Sequence, residues 1–392
     1  MSGGNLTICD LSPLYCDNGG GIRTYHRARI DWFRRQHRHR YVLICPGPRF
    51  DVSEVAPNVR VARVYGPAVR RDQEGYRAML DVRAATRVIE ECRPDVIEMS
   101  DALLGGLLRV FLRRVARFDG VISSFCHSDP LAAYVQPSLI RFGCPTALRE
   151  WTMRRAERLY GGSQAQYDVT MVASRTLERR LHDYGITNVV VAPFGVDPGL
   201  FEIRRRRAFE KRHVGLLFVG RLDRDKDVEL LIDVLPRLLN RGDVTITVAG
   251  AGKFQPAFER LRHPRFSYEG FVGSRDTLAR LYQSSDILLA PGRFETFGLA
   301  ALEAAAAGLA IVGPDCGGTG ELLAQLPAPC VFPAGNAAAF FEAIVSALDS
   351  DLERMSADSR VLARRYGTWH DAVGRQIAVY ESIVGDRQWA AS

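Results

Sequence analysis

Short apolar runs rich in β-branched residues alternate with helical segments along the whole chain. Strands are predicted at 6–11, 41–45, 59–64, 95–99, 121–126, 169–173 and 189–192, and again at 214–219, 244–249, 286–290, 310–312 and 331–332. Helices are predicted between them, for example over 22–36, 76–92, 176–184, 228–240 and 300–307. Because strands that alternate with helices form parallel sheets covered by helices, the chain is expected to have an α/β fold.

A cluster of proline and glycine at 193–202 divides this alternation into two series. The chain has 392 residues, and a domain usually contains roughly 100–200 residues. The arginine-rich stretch at 204–212 is typical of an exposed linker. Two doubly wound domains therefore fit the pattern better than one very wide sheet.

Composition disfavours several classes of protein. No stretch reaches the roughly 18 consecutive apolar residues of a membrane-spanning helix, and the first residues lack the basic and apolar regions of a secretion signal. The eight cysteines form no Cys-x-x-Cys pair. We therefore expect reduced thiols in a cytoplasmic protein, and no zinc site.

The formal net charge is +7 and is carried almost entirely by arginine. This charge either attracts polyanions, such as nucleotide diphosphates, anionic lipid surfaces or nucleic acid, or belongs to an ordinary solvated surface. The arginines are scattered without interleaved aromatic residues. Nucleic acid is therefore not an expected partner.

The most informative segment is Pro-Gly-Arg-Phe-Glu-Thr-Phe-Gly-Leu-Ala-Ala-Leu-Glu, from Pro291 to Glu303. A strand, a glycine-bearing loop and a helix that begins near Phe297 form an anion site, because free N–H groups point beyond the end of the strand. Glu295 and Glu303 add acceptors for hydroxyl groups, so the segment suits a sugar nucleotide. The alternative, in which Glu295 caps the helix and Glu303 lies on the surface, is disfavoured because Glu303 stands in a run of alanine and leucine.

A second segment follows the strand at 214–219. Gly220-Arg221 ends the strand and Lys226 comes five residues later, so two cations can clamp a diphosphate. Three aspartates lie in the same loop, at Asp223, Asp225 and Asp227. They resemble a metal-binding Asp-x-Asp, but interleaved cations argue against a metal cage. We expect them to be solvated or to lie at a helix N-terminus.

Two weaker signals come from the first half. Gly19, Gly20 and Gly21 follow the first strand, where glycine permits a positive φ and a close approach to a ligand, or forms a plain flexible turn. His127 follows the strand at 121–126 and precedes Asp129. It is either a sugar-binding side chain near the reacting carbon or a structural histidine.

One further pattern disfavours another class of protein. A Gly-x-Gly at 250–252 has glutamine where a third glycine is required. This makes a nicotinamide or flavin site a weak hypothesis.

Together these motifs resemble those of the retaining GT-B glycosyltransferases of family four, over nearly the whole chain. Glu295 and Glu303 match the Glu-x7-Glu motif of that family, and Arg221 with Lys226 matches its diphosphate clamp. The glycine loop at 19–21 and His127 match its N-terminal signals.

The resemblance implies two Rossmann-like domains that face each other across a cleft. Residues 1–195 would form the acceptor side and 196–371 the donor domain, and a helix within 372–392 would pack back on the N-terminal domain.

The resemblance also assigns roles. Glu303 would bind the ribose, while Glu295 and the N–H groups of Phe297, Gly298 and Leu299 would hold the sugar and its phosphate. Arg221 and Lys226 would stabilise the leaving diphosphate, and His127 would complete the catalytic set. The remaining donor-binding residues would be Gly20, Gly21 and Gly220.

The implied reaction transfers a hexose of the mannose, glucose or N-acetylglucosamine type. The donor would be GDP-mannose or a UDP-sugar, and the acceptor a hydroxyl of a lipid, a glycan or a small molecule. No metal or other cofactor is expected. Attack on the face of the leaving group is favoured, with Asp129 as an alternative participant. A nucleotide-sugar epimerase of the same fold and a non-catalytic nucleotide-sugar binder are the rival hypotheses.

Two stretches, 103–118 and 141–158, combine arginine with apolar residues. Each either rests on an anionic membrane surface or packs as an ordinary amphipathic helix with a solvated basic face. The second interpretation is slightly favoured.

Overall fold

The computed structural model describes residues 4–13, 15–17, 19–69, 76–100, 118–201 and 213–391. The chain divides into two compact units. The N-terminal unit comprises Met1–Ala192 with His370–Ser392, and the C-terminal unit comprises Pro193–Trp369. The arginine-rich stretch at 204–212 and nearly all of the stretch at 103–118 fall outside the described residues.

The N-terminal unit contains one sheet with the strand order β3-β4-β2-β1-β5-β6-β7-β8. The strands are β1 (Thr7–Leu11), β2 (Arg40–Gly47), β3 (Asp51–Ala56), β4 (Val59–Tyr65), β5 (Val96–Met99), β6 (Val121–Cys126), β7 (Val169–Val172) and β8 (Val189–Val191). Strands β1, β5 and β6 are buried along their whole length, as expected of a parallel sheet with both faces covered. The edge strand β3 pairs antiparallel with β4 and was not predicted.

The helices of this unit flank the sheet. They are α1 (Gly21–Gln36), α2 (Val82–Cys92), a π-helical turn (Leu131–Val135), α3 (Gln136–Arg141), α4 (Thr146–Gln164) and α5 (Arg175–Asp183). Helix α1 presents buried Tyr25, Arg29 and Phe33 at intervals of four residues, which places them on one face.

The C-terminal unit contains a parallel sheet in the order β11-β10-β9-β12-β13-β14. The strands are β9 (Val214–Val219), β10 (Val244–Ala249), β11 (Phe266–Gly270), β12 (Ile287–Leu289), β13 (Ala310–Pro314) and β14 (Cys330–Phe332). The strand order reverses between β9 and β12. Ligands of such sheets bind beyond the carboxyl ends of the strands at this reversal.

The helical elements of the C-terminal unit connect these strands. They are α6 (Pro198–Phe201), a 3-10 turn (Arg224–Lys226), α7 (Val228–Arg241), α8 (Gln255–Arg260), α9 (Arg275–Ser284), α10 (Leu299–Ala307), α11 (Gly317–Leu323), α12 (Ala337–Leu348) and α13 (Leu352–Tyr366). A core of buried aliphatic side chains from β9, β10 and α7, including Leu216, Ile246 and Leu235, holds the unit together.

The last helix, α14 (Trp369–Ala391), belongs to the N-terminal unit for almost its whole length. Its Tyr380 hydroxyl donates to Glu98 of β5 and accepts from Ser123 of β6 at 3.0 Å. Gln376 accepts a hydrogen bond of 3.3 Å from Arg29. The return of the last helix to the N-terminal sheet is therefore present, as is the α/β fold of two Rossmann-like, doubly wound units. No described helix is both long and apolar enough to cross a bilayer.

Candidate active site

The loops that follow β9 and β12 meet at the point where the strand order reverses. Lys226 of the first loop forms an ion pair with Glu295 of the second. A Cβ atom at Gly292 would lie 3.2 Å from the Cα atom of Lys226, so the two loops are in van der Waals contact. The side chains of Lys226 and Glu295 remain 22% and 25% exposed. A cation and a carboxylate are thus presented side by side and are still accessible to a ligand.

A second contact fixes the two loops against each other. Asp227 accepts hydrogen bonds from the backbone N–H of Arg293 at 2.8 Å and from its guanidinium at 2.7 Å. These bonds raise the pKa of Arg293. Asp227 is only 6% exposed and has a left-handed backbone with a φ of 48°. It lies at the N-terminus of α7, which is one of the two expected placements, and Arg293 covers it.

The other two aspartates of the loop hold Arg221. The guanidinium contacts Asp223 at 3.4 Å and forms an ion pair with Asp225. Asp223 also accepts the backbone N–H of Lys253 at 3.1 Å. These carboxylates are therefore paired rather than solvated, and they lie at the N-terminus of the 3-10 turn, which was the other expected placement. Within the described ranges, no three His, Cys, Asp or Glu side chains are grouped so that they could hold a metal ion.

Helix α10 begins at Leu299, between the two starts that the sequence suggested, near Phe297 and at residue 300. Gly298 precedes it with a φ of 88°, a conformation that favours glycine. An added Cβ atom there would lie 2.9 Å from Oγ1 of Thr319. The free N–H groups of the first turn of α10 thus open next to the Lys226–Glu295 pair, and Phe297 is buried behind them.

Glu303 lies one turn into α10 and is 7% exposed, so the alternative of a surface residue is wrong. Its carboxylate accepts a hydrogen bond of 3.0 Å from Tyr282 of α9. Burial raises the pKa of Glu303 to about 7. The negative charge of Glu295 also contributes to the raised pKa of Tyr282, so both carboxylates of the Glu-x7-Glu motif lie near this tyrosine.

A small pocket lies between these groups at the ends of β9 and β12. Lys226, Glu295, Gly298 and Thr319 line it together with apolar strand residues. Thr319 was not predicted from the sequence. It is 1% exposed, and its Oγ1 has no hydrogen-bond partner among the described residues. The only signal for it was the Gly-Gly-Thr-Gly run after β13, where the same strand-to-helix transition recurs.

The Gly-x-Gly after β10 has a packing role. A Cβ atom at Gly250 would lie 1.8 Å from the carbonyl oxygen of Gly220. Glycine at position 250 therefore lets the loops after β9 and β10 touch. This explains the motif without a dinucleotide.

The glycine loop of the N-terminal unit does not use the conformational freedom that glycine permits. Gly19, Gly20 and Gly21 are absent from the residues with positive φ, so a left-handed conformation is not why glycine is present. Among the described residues, and apart from the adjacent backbone, no atom lies within 4 Å of a Cβ atom built on Gly20 or Gly21. The space beside them is open, and a role of these two glycines in donor binding stays a prediction.

His127 lies at the end of β6, as expected, and packs between aromatic rings. Its ring stacks on Phe125 at a centroid distance of 4.7 Å and meets Tyr25 edge-on at 4.8 Å. Burial and the neighbouring His26 lower the pKa of His127 to about 3. The imidazole is therefore neutral at physiological pH and can exchange hydrogen bonds, but it carries no charge for a phosphate.

Asp129 is committed to structural contacts. Its Oδ1 accepts the N–H groups of Leu131 and Ala132 at 3.1 Å each. Its Oδ2 accepts bonds of 3.1 Å from Arg180 and Tyr184 of the α5 region. Four hydrogen bonds on a carboxylate that is 4% exposed favour a structural role over participation in a reaction.

Two family models match the chain. The model for glycosyl transferases group 1 matches residues 213–350, and the model for glycosyltransferase family 4 matches residues 19–200. Each match falls almost entirely within one of the two units. The donor motifs at 220–226 and 295–303 lie inside the first match, and Gly20, Gly21 and His127 lie inside the second.

Relatives and solved structures agree with this assignment. The GDP-mannose-dependent alpha-(1-6)-phosphatidylinositol dimannoside mannosyltransferase of Mycobacterium tuberculosis is 29% identical over 388 residues, 95% of each chain. A GDP-mannose-dependent alpha-mannosyltransferase of Corynebacterium glutamicum is 27% identical over 81% of this chain and 74% of its own length. The fold is similar to that of sucrose-phosphate synthase from Thermosynechococcus elongatus, with a TM-score of 0.76 at 19% identity over 98% of this chain and 100% of that one. The chain belongs to glycosyltransferase family four and has the GT-B fold.

Proposed function

We propose that this protein transfers a hexosyl residue from a nucleoside diphosphate sugar to an acceptor hydroxyl, with retention of anomeric configuration and without a metal. The observation that carries this proposal is the partly exposed Lys226–Glu295 pair beside the first turn of α10. Lysine and free N–H groups suit a diphosphate. A carboxylate beside them suits the hydroxyl groups of the sugar.

The chemistry needs charge stabilisation more than it needs a nucleophile. The bond between the anomeric carbon and the diphosphate oxygen breaks, the acceptor oxygen bonds to that carbon on the same face, and the acceptor proton passes to the departing phosphate. Negative charge grows on the diphosphate in the transition state. Lys226, Arg221 and the N–H groups of α10 stabilise that charge more than they stabilise the ground state, which lowers the barrier.

Glu303 is assigned to the ribose hydroxyls. Its carboxylate already accepts one hydrogen bond from Tyr282, which fixes its orientation, and it has further acceptor capacity for a ligand. In the N-terminal unit, Gly20, Gly21 and the neutral His127 are assigned to the donor sugar and its surroundings.

The names of the relatives narrow the choice of donor and acceptor. Both mannosyltransferases are described as GDP-mannose-dependent, which favours GDP-mannose over a UDP-sugar as the donor. One of them acts on a phosphatidylinositol dimannoside, which favours a lipid-linked hydroxyl as the acceptor. Both are transferases, which favours transfer over epimerisation or binding without turnover.

A ligand panel tests this function directly. Thermal shifts would be measured with GDP, UDP, ADP and their sugars, without added metal and with EDTA. A ligand at ~100 times its dissociation constant stabilises the fold by about 2.7 kcal/mol, and we expect GDP-mannose and GDP to give the largest shifts. Release of GDP that requires an acceptor would then establish transfer. A melting temperature that none of the nucleotides or nucleotide sugars changes would contradict the proposal. Turnover that stops with EDTA would contradict the proposed independence of a metal.

A further inference from the structure

The segment of the N-terminal unit that contains the π-helical turn, α3 and α4 exposes an unusual set of large apolar side chains. The exposed fractions are 83% for Phe142, 71% for Leu159, 55% for Trp151, 54% for Ile140, 51% for Leu148 and 48% for Tyr134. Isolated exposed apolar residues are normal on a protein surface, whereas a group of them marks an interaction site. All six fall within 27 consecutive residues, from 134 to 160. We call this surface the α3–α4 face.

The spacing along α4 shows that these side chains form a stripe. Leu148, Trp151, Arg155 and Leu159 follow one another at intervals of three and four residues, so they lie on one side of the helix. All four are exposed. The buried residues of α4 are Tyr160, Gly161 and Gln164, near its end. Another side of α4 packs Met153, Ala156 and Tyr160 against the core of the unit. The helix is therefore a packing helix, as the favoured interpretation had it, and it also exposes an apolar stripe.

Basic side chains surround the stripe. The segment 134–160 contains five arginines (Arg141, Arg149, Arg154, Arg155 and Arg158) and two acids (Glu150 and Glu157), an excess of three positive charges. The guanidinium of Arg155 lies 5.8 Å from the ring centre of Trp151. Apolar tips and cations thus share one outward side. Apolar and basic side chains on one surface suit contact with an anionic membrane.

We infer that the α3–α4 face docks the protein on an anionic lipid bilayer, with Phe142, Trp151 and Leu159 entering the headgroup layer and the arginines contacting lipid phosphates. The inference deepens the proposed function, since a lipid-linked acceptor would be met at such a surface. Charge decides between a bilayer and a second copy of the chain. A symmetric dimer would bring two faces of the same positive sign together, which is unfavourable.

Co-sedimentation with vesicles tests the docking. The wild-type protein is expected to bind phosphatidylcholine vesicles that contain 30% phosphatidylserine, and to bind pure phosphatidylcholine at least about tenfold more weakly. Phe142→Ser/Trp151→Ser and Arg155→Gln/Arg158→Gln should each lower the partition coefficient by about tenfold or more, since one arginine contributes about fivefold. Phe50→Ser is the matched control, because Phe50 is 52% exposed outside the α3–α4 face. Raising the salt to 0.5 M should weaken binding of the wild type.

Several results would overturn the docking. They are no binding to either vesicle, equal binding to both, or unchanged binding by both double variants while the melting temperatures match the wild type. A wild-type dimer that the Phe142→Ser/Trp151→Ser variant dissociates would assign the face to a second copy instead. Thermal shifts with GDP-mannose need no lipid. A protein that binds the nucleotide sugar but no vesicle would lose only the docking, and one that binds vesicles but no nucleotide would lose only the donor assignment.

Discussion

Each unit carries a cluster of charged side chains, and the two clusters differ in how far the protein encloses them. In the N-terminal unit, Arg29 pairs with Asp10 at 3.1 Å and with Glu98 at 2.9 Å, and the three side chains are 0% exposed. In the C-terminal unit, Lys226 and Glu295 pair while more than a fifth of each side chain remains exposed. The first cluster is closed by protein groups. The second cluster offers its charges to a ligand.

Tyrosines complete the enclosed cluster. Tyr41 donates to Asp10 at 2.5 Å and Tyr25 donates to Glu98 at 2.7 Å. Tyr380 of α14 also donates to Glu98, so the cluster joins the last helix to the sheet. The contrast suggests a rule for this molecule. A charged side chain that other side chains surround contributes to stability, and one that a loop leaves partly exposed to solvent is available to bind a ligand. Substitutions in or near the two clusters test this contrast, because each should change either the stability or the activity.

The largest effect is expected at Arg29. Arg29→Met removes the cation between Asp10 and Glu98 and leaves two buried carboxylates without it. Breaking a buried ion pair in this way costs about 3–5 kcal/mol. Urea unfolding should show this loss, whereas Arg35→Met, at an exposed position of the same helix, should change the free energy of unfolding by less than about 0.5 kcal/mol. Equal stability of the two variants would show that the enclosed cluster contributes nothing.

The opposite pattern is expected at Lys226. Lys226→Ala should lower kcat/KM for transfer by about a hundredfold to a thousandfold, the usual cost of losing one group that stabilises transition-state charge. Its free energy of unfolding should change by less than about 1 kcal/mol, because a partly exposed ion pair contributes little. Arg224→Ala removes a cation of the same turn, where the arginine is 68% exposed, and should retain activity. Similar activity in both alanine variants would remove Lys226 from the active site.

Glu303 allows a comparison by pH, because Glu98 and Glu303 share one property. Burial raises the pKa of each to about 7 from an ordinary value of 4.5. Between these two values the folded protein keeps protons that the unfolded chain has released, so the free energy of unfolding falls as the pH rises from about 4.5 to about 7. Glu303→Gln should remove its part of this decline, by at most about 3 kcal/mol.

Urea titrations at pH 5 and pH 8 would measure the decline for the wild type, Glu303→Gln and Glu98→Gln. We expect each single variant to lose less stability than the wild type between the two pH values. Only Glu303→Gln should also weaken the binding of GDP, since only that carboxylate is assigned to the ribose. If the free energy of unfolding falls equally with pH in the wild type and in Glu303→Gln, the Glu303 carboxyl does not have a raised pKa.

The sequence predicted every described strand except one edge strand of each sheet, since β3 and β11 were missed whereas the edge strands β8 and β14 were predicted. Central strands such as β5 and β9 appear as apolar runs because helices cover both of their faces. The edge strands β3 and β11 have alternating exposure. Their polar residues interrupt the apolar run by which the other strands were predicted. Edge strands commonly carry such residues because they face solvent.

The site shows a similar division. Lys226 and Glu295 could be placed together because each follows a strand of one parallel sheet, and such strands end at the same edge. The bond between Asp227 and Arg293 could not be foreseen, since it depends on the conformations of two loops 66 residues apart. The backbone conformation of the three glycines at 19–21 could not be read from the sequence. A glycine run permits a positive φ, but composition alone does not determine that the chain adopts it.

The smallest effect is expected at Thr319, whose buried hydroxyl has no hydrogen-bond partner among the described residues. Thr319→Val keeps the shape of the side chain and removes that hydroxyl, so the free energy of unfolding should stay constant or rise by up to about 1 kcal/mol. If the hydroxyl bonds the donor in the pocket beside Gly298, the dissociation constant of GDP-mannose should rise about tenfold, the equivalent of one hydrogen bond. Thr319→Ser retains the hydroxyl and should bind like the wild type. If calorimetry finds that the valine and serine variants bind GDP-mannose with equal affinity, the Thr319 hydroxyl does not contact the donor, and the side chain only fills space in the core.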